Sequence, residues 1–243
     1  MPDRPHRVAV FVTCLVDQFA PSVARGTLQV LERVGLRAEV PGGQACCGQP
    51  LLNDGFPDQA ARLARRWVET FEPFDAVVAP SGSCVATVRE FYPRVLAGSP
   101  WEGRARAVAQ RTYELSEFLV RVLGVEDVGA RFPHRVALHA SCHQLRSLGA
   151  ADCARAVLRR VADLELVDLA HPEACCGFGG VFSVKFPEVS EAMLRDKLQD
   201  ARSTTAEVLV STDLGCLLHL AGGLNRQGVR LRCLHLAEVL GGS

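Results

Sequence analysis

The chain has 243 residues, of which 48% are hydrophobic and 22% charged, an ordinary composition for a globular protein with a sizeable core. Its 27 basic and 27 acidic side chains cancel, so no overall charge attracts it to nucleic acid or to an anionic membrane. The apolar runs are too short to span a bilayer, and the first residues lack a signal peptide's apolar segment, so we expect a cytosolic protein. Because cytosolic thiols stay reduced, ten cysteines indicate metal or redox chemistry rather than a disulfide framework.

The first half of the chain alternates predicted strands and helices. Short apolar, β-branched runs predict strands over residues 8–13, 36–40 and 75–79. Amphipathic helices are predicted between them, over residues 21–35 and 58–71. This order is typical of a parallel α/β sheet with right-handed crossovers.

The second half repeats the same elements in the same order. Strands are predicted over residues 135–139, 164–168 and 208–210, and helices over residues 152–161 and 187–202. The two tails also resemble each other, since Tyr-Glu-Leu-Ser-Glu-Phe-Leu closes the first half and Leu-His-Leu-Ala-Glu-Val-Leu the second. The chain therefore divides into two lobes, residues 1–131 and 132–243.

Eight of the ten cysteines stand at matching positions in these two lobes. Each lobe contains the string Ala-Cys-Cys-Gly, flanked on either side by a single cysteine. The offsets between counterparts are 128 residues from Cys14 to Cys142, 129 from Cys46 to Cys175 and 132 from Cys84 to Cys216. Such a constant offset indicates an internal duplication. The predicted fold class is α/β, with two duplicated Rossmann-like parallel-sheet lobes.

All eight cysteines of this duplicated frame follow the ends of predicted strands. We expect them on loops at the carboxyl edges of the two sheets, where open α/β folds bind their ligands. Each lobe then offers four thiolates from three loops, which is enough for one 4Fe–4S cluster, or two in the whole chain. The predicted ligands are Cys14, Cys46, Cys47 and Cys84 in the first lobe and Cys142, Cys175, Cys176 and Cys216 in the second.

Residues beside these cysteines are candidates for a supporting role. Glycines let backbone amides approach an anionic cluster closely, and basic side chains nearby add positive charge. The candidates are Gly48, Gly177, Gly179, Gly215, His143, Arg146 and Lys185. For the three basic residues, an ordinary place at the surface or at the edge of the core remains an open alternative.

Zinc is the main competitor for the cysteine frame. Structural zinc sites usually contain Cys-x-x-Cys knuckles, which this sequence lacks, and two adjacent cysteines fit one tetrahedral zinc awkwardly. A metal-free thiol function would leave the duplicated spacing unexplained. The pattern therefore favours iron–sulfur over both. Cys153 and Cys233 lie outside the frame and are expected to be small buried hydrophobic residues.

These strings resemble the cysteine-rich (CCG) domain family, found in heterodisulfide reductases, glycolate oxidase iron–sulfur subunits and lactate utilization proteins. The likeness to the lactate utilization proteins covers essentially the whole chain. It is carried by residues 11–17, 46–50 and 80–84 in the first lobe and by 141–143, 175–180, 182–185 and 235–240 in the second.

The resemblance implies a cytosolic iron–sulfur protein that acts with lactate utilization proteins B and C in the oxidation of L-lactate to pyruvate. In the family each domain ends in Cys-x-x-Cys, whereas here Ser81 and Asp213 replace the first cysteine of that motif. This departure leaves open whether a cluster here is of the cubane type or of the five-cysteine, non-cubane type of heterodisulfide reductase. A four-cysteine cluster is the simpler expectation, with Asp213 as a candidate oxygen ligand in the second lobe.

Three functions remain open at this point. The first is an oxidoreductase subunit that passes electrons from lactate oxidation to an acceptor. No G-x-G-x-x-G fingerprint is visible, so lactate oxidation is expected on a partner or at an unusual cluster. The second is disulfide reduction with Cys14, Cys46 and Cys47 as reactive thiols. The third is a non-enzymatic scaffold that holds zinc or no metal.

Overall fold

The computed structural model describes residues 5–242. Within them the chain forms two four-stranded sheets in which every strand pair is parallel. The predicted α/β fold with two duplicated lobes is thereby confirmed. No helix in this part of the chain combines the length and the apolar character needed to cross a membrane.

The first sheet has the strand order β2-β1-β3-β4. Its strands are β1 (Val8–Val10), β2 (Ala38–Glu39), β3 (Ala76–Ala79) and β4 (Thr112–Glu114). The helices of this lobe are α1 (Cys14–Phe19), α2 (Pro21–Arg33), α3 (Gln49–Asn53), α4 (Pro57–Phe71), α5 (Gly82–Ala86), α6 (Tyr92–Val95), α7 (Glu102–Ala109) and α8 (Leu115–Glu117). Two π-helical turns extend α5 and α8, over Thr87–Phe91 and Phe118–Val122 respectively.

The second sheet repeats this order as β6-β5-β7-β8. Its strands are β5 (Arg135–Leu138), β6 (Glu165–Val167), β7 (Val208–Ser211) and β8 (Arg232–His235). Its helices are α9 (Ala151–Leu158), α10 (Val181–Lys185), α11 (Pro187–Arg202), α12 (Leu214–Arg226) and α13 (Leu236–Gly241), with a π-helical turn over His143–Ser147. The sequence predicted the strand that carries Cys233, which is β8, but it did not predict β4, although the tail of the first half overlaps that strand.

The two lobes share one hydrophobic core. Alternation along β1 points Val8 and Val10 into this core and turns Ala9 to the opposite face of the sheet. Val136 and Leu138 on β5 enter the same shared core from the second lobe. One face of each sheet therefore depends on the other lobe for its burial.

Exchanged helices hold this arrangement together. The last helix of the second lobe, α13, packs against α2 of the first lobe, and the π-helical turn after α8 packs against α9 of the second. The contact between α2 and α13 is very close, because a Cβ atom on Gly26 would lie 2.3 Å from the carbonyl oxygen of Ala237. Glycine is therefore required at this crossing, which fixes the lobes relative to each other.

Each exchanged helix is capped by the last residue of the preceding strand. The carboxylate of Glu114 accepts hydrogen bonds from the backbone N–H groups of Ser116 (2.9 Å) and Glu117 (3.3 Å). In the second lobe, Nδ1 of His235 accepts from Ala237 N–H at 3.0 Å. Its Nε2 therefore carries the proton and donates a hydrogen bond to the carbonyl oxygen of Pro80, 3.1 Å away in the first lobe.

Glu114 makes stability depend on pH. Its carboxyl is fully buried, and burial raises its pKa to about 7, from 4.5 for an exposed glutamate. Between these pH values the folded protein holds a proton that the unfolded chain releases. The stabilisation from that proton is complete below about pH 4.5 and is lost as the pH rises through 7, in total about 3 kcal/mol.

The variant Glu114→Gln retains an acceptor oxygen for the cap but cannot titrate. In urea unfolding of the metal-free protein between about pH 4.5 and pH 8, we expect the wild type to lose about 3 kcal/mol relative to this variant. Unfolding free energies that run parallel for the two proteins would show that Glu114 does not titrate in this range.

Candidate metal centre

In the first lobe, three loops bring four cysteines together. Cys14 begins α1 just after β1, Cys46 and Cys47 lie between β2 and α3, and Cys84 lies in α5 just after β3. All three loops leave the carboxyl edge of the sheet because the strands are parallel. The short strands and the immediate start of each helix keep the cysteines close to that edge.

The four sulfurs of the first lobe form two close pairs. The Sγ atoms of Cys14 and Cys46 are 3.6 Å apart, and those of Cys47 and Cys84 are 3.4 Å apart. Gly48 N–H points at the sulfur of Cys46 from 3.5 Å, an orientation that its φ of +82° allows. The structure thus brings the four predicted residues together, as two close pairs on the wall of one cavity.

The second lobe repeats this arrangement. Cys142 follows β5, Cys175 and Cys176 lie between β6 and α10, and Cys216 lies in α12 just after β7. These four cysteines line one cavity, and the sulfurs of Cys176 and Cys216 lie within 4.8 Å of each other. Gly177 N–H is 3.4 Å from the sulfur of Cys175.

Two glycines of the second lobe are required by close packing. Gly177 has a φ of +85°, and a Cβ there would lie 2.5 Å from the carbonyl oxygen of Ser190 on α11. A Cβ on Gly215 would lie 2.5 Å from the ring of Phe178. These contacts seat the Cys175–Cys176 loop between α11 and α12.

One cysteine in each lobe is set up as a thiolate. Hydrogen bonds from the Cys14 and Cys47 thiols, aided by Gly48 N–H, lower the pKa of Cys46 to about 3. The same contacts raise the pKa of Cys14 and Cys47. In the second lobe, the equivalent contacts lower the pKa of Cys175 to about 2. Each cysteine set therefore carries negative charge that a cation can neutralise.

Both sets open on a single cavity of about 220 Å³ between the lobes. All eight cysteines of the duplicated frame line it, and none forms a disulfide. Each lobe contributes four cysteines from three loops to the cavity wall, and four thiolates are the donor set of an iron–sulfur or zinc centre. The residues present therefore fit a metal centre in each lobe.

His143 connects the two lobes at the cavity wall. Its Nε2 lies 3.1 Å from the side-chain nitrogen of Gln49 in α3, so the Gln49 amide donates to it. Nδ1 then carries the proton and faces the sulfur of Cys142 at 3.5 Å. The Nδ1–H group of His143 thus faces the sulfur of Cys142, just as the backbone N–H groups of Gly48 and Gly177 face the sulfurs of Cys46 and Cys175.

The remaining predicted supporting residues differ in position. Gly179 lines the cavity, with a φ of +51°. Arg146 is exposed and donates to the carbonyl of Glu173, 3.4 Å away at the start of the Cys175 loop. Lys185 is also exposed and pairs with Asp54 of the first lobe. Arg146 and Lys185 contact other groups than the cysteines and are not among the residues that line the cavity.

Asp213 lies between the lobes and is only 3% exposed. Its Oδ1 accepts hydrogen bonds from the Ser81 hydroxyl (2.9 Å) and from Ser83 N–H (3.0 Å) of the first lobe. Its Oδ2 accepts from the Ser141 hydroxyl of the second lobe. Because both oxygens already have donors, these contacts favour a structural role, and the role of oxygen ligand stays a prediction.

His139 was missed by the sequence analysis. It follows β5, lines the cavity and is 1% exposed, and burial lowers its pKa to about 4. Aligning the two lobes on Cys14 and Cys142 would have drawn attention to it, because the matching residue of the first lobe is Phe11. A polar residue thus stands where the duplicated copy has an apolar one.

Comparison with known proteins agrees with the duplicated frame. The model of the family described as "Cysteine-rich domain" (CCG) matches residues 8–89 and 136–221, one match in each lobe. Lactate utilization protein A of Bacillus velezensis is 45% identical over 235 residues, which cover 96% of this chain and 98% of that protein. Lactate utilization protein A of Bacillus subtilis is 44% identical with the same coverage.

A solved structure shares the fold. A hypothetical protein from Helicobacter pylori matches with a TM-score of 0.56 and 14% sequence identity, covering 98% of this chain and 49% of that one. At this identity the match bears on the fold alone. Since the family model matches both lobes and the relatives align over nearly the whole length, this chain belongs to the CCG cysteine-rich domain family.

Proposed function

We propose that this chain is a cytosolic iron–sulfur subunit that transfers electrons in the oxidation of L-lactate to pyruvate. The observation that carries the proposal is the pair of equivalent cysteine sets lining one cavity. The names of the relatives, lactate utilization protein A, support the pathway.

In this proposal each lobe holds one 4Fe–4S cluster through its four framework cysteines. Such a cluster, when bound, accepts and returns single electrons at a potential set by its protein surroundings. The chain supplies those surroundings through the N–H groups of Gly48 and Gly177 and through Nδ1 of His143, which all point at cysteine sulfurs. Cys47 and Cys176 are 3% and 2% exposed, which limits the access of water to this side of each site.

Lactate oxidation removes two electrons and two protons from a 2-hydroxy acid. The chain carries no nucleotide-binding fingerprint that would place a hydride acceptor on it. We therefore assign the chemical step to a complex with lactate utilization proteins B and C, in which this subunit takes up the electrons.

The test is reduction of the reconstituted protein by its substrate. The anaerobically reconstituted chain is mixed with purified lactate utilization proteins B and C, then with L-lactate or, as a control, D-lactate. We expect L-lactate to bleach the cluster absorption and to generate pyruvate. Full clusters that L-lactate leaves oxidised in the presence of both companions would overturn the assignment to lactate oxidation.

Disulfide reduction is the second candidate function. It is favoured by the shared cavity, because a disulfide lying there would contact thiols or clusters of both lobes. The reaction consumes two electrons and two protons and yields two thiols. Turnover of a small disulfide with a chemical reductant, without any reduction by L-lactate, would select this function.

A further inference from the structure

The imidazole of His139 has no hydrogen-bond partner in the described part of the chain. Both ring nitrogens are buried without a donor or acceptor nearby. A buried polar group without a partner costs roughly 1–3 kcal/mol, so such groups are uncommon unless they serve a ligand. Because His139 lines the cavity, its natural partner is a group bound there.

The position of the ring relative to two cysteines indicates what that group is. One nitrogen of His139 and the sulfurs of Cys176 and Cys216 all lie within 4.8 Å of one another. Ligand atoms on one tetrahedral metal ion lie roughly 3.3–3.8 Å apart, given metal–ligand bonds of about 2.0–2.3 Å. The three atoms are thus close enough to bind one metal centre together, and neutral imidazole is a suitable ligand for iron and for zinc.

At the matching position the first lobe has a phenylalanine and so lacks this nitrogen donor. Phe11 stands three residues before Cys14, as His139 stands three before Cys142. Its ring packs edge-on against Trp67 and Phe71, with centroids 5.5 and 5.4 Å away. The duplicated lobes therefore have the same four thiols but differ in this fifth donor.

We infer that His139 is a nitrogen ligand of the metal centre in the second lobe, where it adds a second protein ligand to one iron beyond the four cysteines and makes that centre a mixed cysteine–histidine site beside an all-cysteine site. The inference rests on the metal binding proposed above. A neutral imidazole adds no negative charge, and histidine ligation raises the potential of iron–sulfur centres. The second-lobe centre is then the more readily reduced of the two.

The first test uses Co²⁺ alone as the probe. Cys46→Ser and Cys47→Ser are introduced into the full chain to disable the first lobe, and Co²⁺ is titrated into the metal-free protein under anaerobic conditions. His139→Phe copies the residue found in the first lobe. The matched control is His219→Phe, because His219 belongs to the same lobe but packs at a tilt against Phe178, with ring centroids 5.9 Å apart, and does not line the cavity.

We expect His139→Phe to weaken Co²⁺ binding roughly 10–100-fold or more, because loss of even an outer-shell partner of a metal ligand has an effect of that size. The substitution should also change the ligand-field spectrum of the bound Co²⁺. His219→Phe should do neither. Unchanged affinity and spectrum in His139→Phe would overturn the inference. If the phenylalanine variant does not fold, His139→Ala replaces it. Free imidazole should then restore the wild-type Co²⁺ spectrum of the alanine variant. Failure of imidazole to restore that spectrum would contradict the inference.

The second test separates this inference from the proposed function. The chain labelled with ¹⁵N-histidine is reconstituted with iron and sulfide, reduced and measured by pulsed EPR. A strong ¹⁵N coupling that disappears in His139→Phe supports the inference. Iron and sulfide bound without such a coupling would overturn it and leave the cluster proposal intact. Absence of iron and sulfide would overturn the cluster proposal, and the Co²⁺ result would still decide the role of His139.

Discussion

Replacing Cys47 with alanine is expected to abolish cluster binding in the first lobe and leave the second lobe loaded; Cys176→Ala should have the opposite effect. Each residue is almost fully buried within its set, and Cys47 lies 3.4 Å from the sulfur of Cys84. Its loss leaves three thiols in that lobe, too few for a four-cysteine cluster. Anaerobically purified variants should each retain about half of the wild-type iron and sulfide.

Cys233→Ala is the matched control for both variants. Cys233 is partly buried in β8, lies outside the duplicated frame and does not line the cavity. We expect this variant to retain all of the iron and sulfide. If either framework variant lost all of its iron, the two lobes would not bind clusters independently. If it lost none, the replaced cysteine would not be a ligand, and either result would contradict the account of two four-cysteine sites.

Asp213→Ala is expected to destabilise even the metal-free protein, by about 3 kcal/mol or more. The substitution removes the acceptor for Ser81 and Ser83 in one lobe and for Ser141 in the other. A buried donor left without an acceptor costs roughly 1–3 kcal/mol. Urea unfolding of the apoprotein measures this loss.

Asp213→Asn is the conservative comparison. Its side-chain oxygen can still accept from Ser81 and Ser83, while the acceptor for Ser141 is lost, so a smaller destabilisation of about 1–2 kcal/mol is expected. A metal ligand would behave differently. If both variants unfolded like the wild type without metal but lost iron from the second lobe, Asp213 would be an oxygen ligand and its structural role would be disproved.

The sequence predicted the scaffold well where the apolar signal was strong. The runs around β1, β3, β5 and β7 are β-branched and central in their sheets, so short apolar segments identified them. The edge strand β4 has the sequence Thr-Tyr-Glu, which contains no apolar run. Its place in the sheet comes from its ladder with β3, and such a pairing is not visible in local sequence.

The boundary drawn between residues 131 and 132 remains a prediction. Arg131 was assigned to the first lobe, yet it forms an isolated parallel bridge with Ala162 of the second lobe. The shared core also means that neither lobe buries its sheet alone. Local composition around residues 129–133 carries no information about these long-range contacts.

The site was predictable within each lobe but not between lobes. Strand ends at one sheet edge explain why Cys14, Cys46 and Cys84 meet, and the sequence contains that information. The single cavity depends on how the lobes pack, which close contacts such as that of Gly26 with Ala237 determine. His139 became a candidate only when its unpartnered nitrogens were located beside the cysteines.

The most direct measurement is a count of iron, acid-labile sulfide and zinc on protein purified without exposure to air. Two four-cysteine sites, each filled by a 4Fe–4S cluster, predict about eight irons and eight sulfides per chain. Stoichiometric zinc with neither iron nor sulfide would contradict the account, because the two converging thiol sets would then hold single ions instead of clusters.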